Sequence, residues 1–441
     1  MKETVLQFGT GNFLRGFADY FINELNKQGL YGGKIVVVSP TNSKAVEKIN
    51  AQNGRYNLLL RGIENGNEIS SINEINSISR AINPYENFKG FLSLAKNPDL
   101  RFIVSNTTEA GISFDDTCKI TDKPADSFPA KLTQFLYKRY KNNLNGFVIL
   151  ACELIDNNGK ELEKCVIKYA EKWKLGKDFI TWIKSENTFC NTLIDRIVTG
   201  YPKDEAEHIF DEIGYRDNLL DTAEPYHLWV IEGDFEDELP LQKAGFNVIW
   251  TDNVALYKKM KVRILNGSHT SLVFPSLLCN VETVGESLKD EQLNAFLGTC
   301  LFDYILPMLD DTDEIKSFAN AVLERFSNPY IRHLWKSISL NSVSKFTARV
   351  LPTVNDYIDK NNSMPKPLVF SLACLIEYYK ANEVTDGEYA VDYIKNNDIK
   401  SILLNTDLWG QDLSGMLDTV NESLERIHRD GIREAIRWSM S

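Results

Sequence analysis

The chain has 441 residues, 43% of them apolar and 11% aromatic, with a formal net charge of −12. That is material for two or three domains with substantial cores, and it excludes an unfolded polar chain. The acidic balance argues against nucleic acid or an anionic membrane surface as the main partner, which leaves a small molecule.

Thr4–Phe8 is a short apolar run that reads as a buried strand. Gly9-Thr10-Gly11-Asn12-Phe13-Leu14-Arg15-Gly16 follows directly, and a helical pattern runs from about Phe13 to Leu25. Strand, glycine turn and helix open a dinucleotide-binding unit, in which glycines let the backbone approach a pyrophosphate. Gly9, Gly11, Asn12 and Phe13 are the candidate cofactor residues, and Leu14 stands where a third glycine is usual. Lys34–Ser39 reads as the second strand. Where an acid for the adenosine ribose is expected, the sequence has Ser39-Pro40-Thr41-Asn42. Ser39 and Thr41 are the candidate ribose ligands. No Arg or Lys occupies 39–43 to receive a 2′-phosphate, so NAD(H) is the expected cofactor rather than NADP(H).

Tyr56–Ile72 reads as a hairpin turning at Asn65-Gly66, an insertion in the nucleotide-binding half. Tyr85–Lys96 reads as helix and Arg101–Ser105 as strand. The strand ends in Asn106-Thr107-Thr108-Glu109-Ala110-Gly111, a polar segment at a carboxyl end where open α/β sheets bind ligands; Thr108 and Glu109 are cofactor candidates. Helix at Lys131–Tyr140 and strand at Gly146–Ala151 follow, then Asn158-Gly159 as a cap or turn and a helix to about Trp173. Leu193-Ile194-Asp195-Arg196-Ile197 contains an adjacent acid and base that read as a surface ion pair. Two strand-like runs, Tyr226–Glu232 and Phe246–Thr251, close the α/β region.

Beyond Asn253 only amphipathic helical patterns occur, near 253–274, 288–308, 313–326, 330–340, 366–381, 387–395 and 412–438. The predicted architecture is an α/β fold: a Rossmann-like doubly wound sheet with insertions over 1–252, then an all-helical domain over 253–441. Seven scattered cysteines without a C-x-x-C pair point to reduced thiols in the cytoplasm. No signal peptide or membrane span is expected, and no pair of the five histidines has metal-ligand spacing, so no metal is expected.

Lys261-Val262-Arg263-Ile264-Leu265-Asn266-Gly267-Ser268-His269 sets an amine, an amide and an imidazole in a Lys-x4-Asn-x2-His pattern. On an α-helix with Lys261 at zero, His269 falls near about 80° and Asn266 near about 140°, one arc, with Pro275 as the expected stop. The three groups suit a carbonyl/alcohol site: an amine moves a proton, an amide donates to an oxygen gaining charge, and an imidazole binds a hydroxyl.

The pieces together resemble the mannitol dehydrogenase family of polyol and hexuronate dehydrogenases. Gly9–Gly16 is similar to its G-x-G-x-F-x-R-[AG] opening, and Ser105–Gly111 to its T-E-x-G segment. Cys152 with Asn158-Gly159 resembles its C-D-N-x-x-x-N-G turn, from which Glu153 and Leu154 depart. Asp195-Arg196-Ile197 resembles V-D-R-I, Glu224–Glu232 resembles E-P-x-x-x-W-V-I-E, and Arg325–Pro329 resembles R-F-x-N-P. Lys261, Asn266 and His269 match K-x4-N-x2-H. The resemblance implies metal-free, NAD(H)-dependent hydride transfer at a site between sheet edge and helical domain. It makes Lys261 the proton donor and acceptor, Asn158 and Asn266 donors to the carbonyl oxygen, and His269 the group that orients a hydroxyl. Asp195 and Arg196 become substrate-binding candidates. Within the family the openings look most like the branch that reduces tagaturonate; fructuronate and mannitol are alternatives inside it, and a non-catalytic sugar-acid or dinucleotide sensor is the alternative outside. A hexuronate carboxylate calls for a cation. Lys345 and Arg349, four apart in Ser344–Arg349, are the candidates.

Overall fold

The computed structural model describes residues 1–441, in two compact units: residues 1–62 with 68–255, and residues 63–67 with 256–441. The first unit holds twelve strands: β1 Lys2–Phe8, β2 Gly33–Val38, β3 Tyr56–Glu64, β4 Asn67–Ile75, β5 Ile78–Ile82, β6 Phe102–Ser105, β7 Val148–Ala151, β8 Thr188–Cys190, β9 Thr192–Asp195, β10 Asp221–Ala223, β11 Leu228–Glu232 and β12 Val248–Thr251.

Six of them form one parallel sheet in the order β5-β2-β1-β6-β7-β8. Numbered within the sheet by chain order, that is 3-2-1-4-5-6, the dinucleotide-binding order, whose direction of winding reverses between β1 and β6. The apolar runs are continuous because both faces are covered. Val5, Ile35, Val37, Val104 and Leu150 pack on one side, against Phe17, Phe21, Trp229 and Val248. Leu6, Phe8, Val36, Ile103 and Ile149 pack on the other, against Phe91, Phe135, Leu162 and Ile183 of the crossover helices. Two three-stranded sheets, β10-β3-β4 and β12-β11-β9, extend the unit. The β3–β4 hairpin turns at Asn65 (φ 52°) and Gly66 (φ 75°), the doubly positive turn that an Asn-Gly pair favours.

The first helical pattern is two pieces, Asn12–Arg15 and Ala18–Lys27. The break falls at Gly16-Phe17, because the Gly16 carbonyl accepts from Arg196 Nη1 (2.8 Å). Helix at Tyr85–Lys96 is shorter than expected, Phe88–Leu94, since Asn87 caps it by accepting from Gly90 N at 2.8 Å.

The second unit is all helical apart from its hairpin tip, around a core of Gly267–Leu278 and Lys366–Ala381. Pro275 does not end its helix, which continues to Leu278. Proline removes the N–H that would bond Ser271 O, and Ser371 Oγ donates to that carbonyl instead, at 2.8 Å. The pattern expected over 330–340 shrinks to Trp335–Ile338, and Ser342–Arg349 and Leu351–Asn361 form helices the periodicity did not reveal. The C-terminal pattern divides at Gly431 (φ 83°) into Leu417–Asp430 and Ile432–Ser439.

Candidate active site

In the first unit β1 is followed by Gly9, whose φ of 144° strains any side chain. A Cβ there would also lie 2.9 Å from the Asn106 carbonyl oxygen that follows β6, so the winding reversal is closed to anything but glycine. Gly11 is different. Its φ is ordinary, and nothing lies within 4 Å of where a Cβ would stand, so the turn keeps an open side. Asn12 is exposed beside it, and Phe13 stacks on Phe17 with ring centroids 4.9 Å apart.

Two arginines brace this turn from behind. Arg15 Nη1 donates to Thr10 O (3.0 Å) and Nη2 to Asn12 Oδ1 (2.6 Å), with Asp221 Oδ2 at 3.6 Å. Arg196 donates to Gly16 O and, through Nε, to Glu224 O at 2.9 Å, its guanidinium lying 4.8 Å from the Tyr20 ring centre. Asp195 and Arg196 are 7% and 6% exposed, not a surface pair. Arg196 serves backbone carbonyls through Nε and Nη1, while its buried Nη2 has no partner. Asp195 is likewise held inside the first unit.

Tyr56 Oη donates to Arg15 O (2.7 Å) and lies 3.5 Å from Asp19 Oδ2. Burial pushes the Asp19 carboxyl up to about 8, against the pull of Arg15, and Asp221 up to about 7 by the same cause. Gln7 Oε1 and Asp19 Oδ1 are both buried without a hydrogen-bond partner.

Ser39 is fully buried and its Oγ donates to Thr41 O at 2.7 Å; Thr41 is exposed. At the ends of β6 and β7, Glu153 accepts from Ser105 Oγ (3.0 Å) and from Thr107 N and Oγ1 (3.1 Å each). The glutamate that departs from the family's turn thus ties two strand ends together. Thr108 and Glu109 beyond them are exposed. Asn158, 1% exposed, donates from Nδ2 to Glu153 O and Thr192 O (3.0 Å each) and accepts at Oδ1 from Gly159 N and Thr192 N (2.9 Å each). Both donors of its amide are engaged by the backbone, so that Asn158 clasps β7 to β9.

In the second unit the stretch after Lys261 is not an α-helix. Val262–Asn266 is a π-turn, with hydrogen bonds spanning five residues in place of four. A turn closed over five residues is wider than an α-helical one, which brings Asn266 nearer to Lys261 in rotation than the α-helical angle predicted. Both are half-buried, and the Asn266 amide makes no hydrogen bond within the protein. His269 stacks on Phe326 (centroids 4.1 Å, planes 12° apart), edge-on to His333 at 5.2 Å and Trp335 at 6.1 Å. Its Nε2 is closed off from solvent and has no partner. Burial, then His333, Arg325, Arg349 and Lys345, hold its pKa well below the ordinary value, so the ring is neutral.

The groups acting on His269 are all bases. Lys345 Nζ donates to Ile338 O at 2.8 Å. Arg349 is half-buried, and its guanidinium forms no hydrogen bond or ion pair within the chain; burial lowers its pKa. His333 is half-buried and held below its usual pKa by burial and by Arg325. Sequence reasoning quoted Arg325 only as part of a motif and did not single out His333, which lies eight residues on in Arg325-Phe326-Ser327-Asn328-Pro329-Tyr330-Ile331-Arg332-His333.

Residues 3–243 match the Mannitol dehydrogenase Rossmann domain, and residues 253–428 the Mannitol dehydrogenase C-terminal domain. The chain belongs to the mannitol dehydrogenase family. Among mannitol dehydrogenase family relatives it is 41% identical to a protein named altronate oxidoreductase from Halalkalibacterium halodurans, covering 99% of this chain and 93% of that one. It is 40% identical to the Bacillus subtilis protein of the same name, over 98% and 94%. The fold is that of D-sorbitol dehydrogenase (TM-score 0.88, 23% identity, 99% and 95% covered) and of Pseudomonas fluorescens mannitol 2-dehydrogenase (TM-score 0.72, 20% identity, 99% and 94% covered).

Two outcomes follow for the first unit. Asn158→Ala strands buried backbone groups at about 1–3 kcal/mol each, so it is expected to lower the urea midpoint substantially. A variant as stable as the parent would return Asn158 to the chemistry. An acid whose pKa rises on folding stabilises fully below its unfolded pKa and loses that contribution as pH climbs through the folded value. For Asp19 and Asp221 the loss runs from about pH 4 to about pH 8, and Asp19→Asn is expected to flatten part of that slope in urea melts at successive pH values.

Proposed function

We propose that the chain is an NAD(H)-dependent oxidoreductase that interconverts tagaturonate and altronate. The observation that carries this reading is Arg349, a half-buried guanidinium without an internal hydrogen bond or ion pair, whose charge acts on the His269 ring. A neutral polyol has no use for such a group, whereas a hexuronate carboxylate does. The altronate oxidoreductases, 40–41% identical over 98–99% of the chain, support the same substrate.

The glycine turn fits a dinucleotide: Gly11 leaves its outer side open, and the first helical turn carries no acid to repel a pyrophosphate. When bound, the nicotinamide supplies or accepts the hydride. In the direction of reduction, Lys261 Nζ gives a proton to the ketone oxygen; in oxidation it takes the hydroxyl proton back. Asn266, whose amide is unengaged, donates to that oxygen as it gains charge, worth about 2.7–4 kcal/mol for comparable donors. With Asn158 committed to the backbone, Asn266 is the amide left for this role. His269, neutral and with Nε2 unpartnered, exchanges a hydrogen bond with a sugar hydroxyl and so fixes the reacting carbon. Arg349 grips the carboxylate, with Lys345 beside it.

The direct test is loss of NADH absorbance with tagaturonate, fructuronate and fructose in turn; fastest turnover of fructose would overturn the uronate reading. Lys261→Ala is expected to cut turnover by about 10²- to 10⁴-fold and to leave the melting temperature and NADH binding near those of the parent. Arg349→Met should raise the KM for tagaturonate by about 10- to 100-fold and hardly alter fructose turnover, since only the charged substrate loses a partner. Equal losses on both substrates would mean that Arg349 serves the architecture.

A further inference from the structure

The second strand of this sheet ends without the acid that normally reads the adenosine ribose, and the neighbouring strand supplies one. β2 and β5 are parallel and end level, Val38 opposite Ile82, and Ser39 N donates to Ile82 O at 3.0 Å. The loop after β5 therefore emerges beside Ser39-Pro40-Thr41-Asn42. Its first residue, Asn83, is 4% exposed and bridges the two loops. Asn83 Nδ2 donates to Asn42 Oδ1 and to Glu86 Oε1, 3.0 Å each, while its Oδ1 accepts from Tyr85 N at 3.1 Å. A buried amide thus holds an exposed carboxylate next to the loop where ribose contacts are made. Glu86 has no ion-pair partner, and the Asn42 Nδ2 amide makes no hydrogen bond within the protein.

We propose that Glu86, positioned by Asn83 beside Asn42, is the group that selects NAD(H) over NADP(H). This rests on the reading of the glycine turn as the cofactor site. A ribose 2′,3′-diol needs acceptors for its hydroxyl protons and tolerates a donor, and a carboxylate with an adjacent amide provides both. A 2′-phosphate brings two negative charges to the same place and meets a third. The nearest cation in the β2 loop, Lys44, is exposed at the start of the helix Ala45–Ala51 and makes no ion pair, so it is available to a phosphate once Glu86 is neutral.

Glu86→Gln separates charge from structure, because its Oε1 still accepts from Asn83. The measurement is the dissociation constant of NADH and of NADPH for the intact protein, from the fluorescence of the reduced nicotinamide, alongside kcat/KM with each. The ratio Kd(NADPH)/Kd(NADH) is expected to fall by about tenfold or more at an unchanged melting temperature, the scale of one charged hydrogen bond and one removed repulsion. Glu86→Ala should move it the same way. A ratio that stays within about twofold of the parent in both variants overturns the proposal, since a purely structural residue would weaken both cofactors alike. Gly11→Asp distinguishes the underlying reading: it places a carboxylate in the open side of the turn without strain and should abolish binding of both cofactors. If it does so while the Glu86 variants leave the ratio alone, the Glu86 assignment fails and the cofactor site stands. If Gly11→Asp binds NADH like the parent, the site itself lies elsewhere and the Glu86 assignment falls with it.

Discussion

The turn at Val262–Asn266 sets how the polar groups of the second unit are arranged. An α-helix would have set the Asn266 amide well round the helix from the Lys261 amine, and the wider five-residue turn brings the two nearer in rotation. Ile264 and Leu265 within it are buried, and His269 beyond it lies against the aromatic wall of Phe326 and Trp335. Such a turn forgoes regular helical hydrogen bonding, and the helix beyond it bears a second irregularity at Pro275. The second is tolerated because Lys366–Ala381 packs alongside and lends the Ser371 hydroxyl to the carbonyl that proline leaves unbonded.

The first unit solves a different problem with the same economy of parts. Its glycine turn has to remain open on one side and rigid on the other. Backbone carbonyls at Thr10 and Gly16 would otherwise point into a dry interior, and Arg15 and Arg196 satisfy them. Burying two guanidiniums brings in the acids Asp19 and Asp221, and burial in turn raises their pKa values. The family motifs that look like ligand sets, G-x-F-x-R-G and D-R-I, are in this structure largely the scaffold behind the ligand.

The sheet was legible because parallel strands covered on both faces leave long apolar runs, and β1, β2, β6 and β7 all do so. β6 and β7 are only four residues long but almost wholly apolar, whereas β8, β9 and β10, no longer, include Thr188, Thr192, Asp195, Asp221 and Thr222 and leave no such signal. Pro275 misled because the rescue comes from Ser371, a hundred residues away, which no local pattern contains. Lys261, Asn266 and His269 were found by spacing, but their mutual placement was not, since a π-turn has no marker in residue type. Asn158 shows the limit of motif reading: a buried amide serving four backbone groups and an amide awaiting a substrate are the same letter. The distinction lay in whether its partners were already taken, and Glu86 did not stand out for the converse reason, its placement beside the β2 loop arising from a strand one place over in the sheet.

The unpartnered Nε2 of His269 also bears on how the protein endures. A dry nitrogen without a partner and a half-buried guanidinium without a counter-ion each make the empty second unit less stable than the same fold with those groups removed. Under the proposed function a sugar acid that supplies a hydroxyl and a carboxylate returns the stability withheld there, so substrate protects the fold as well as feeding the reaction.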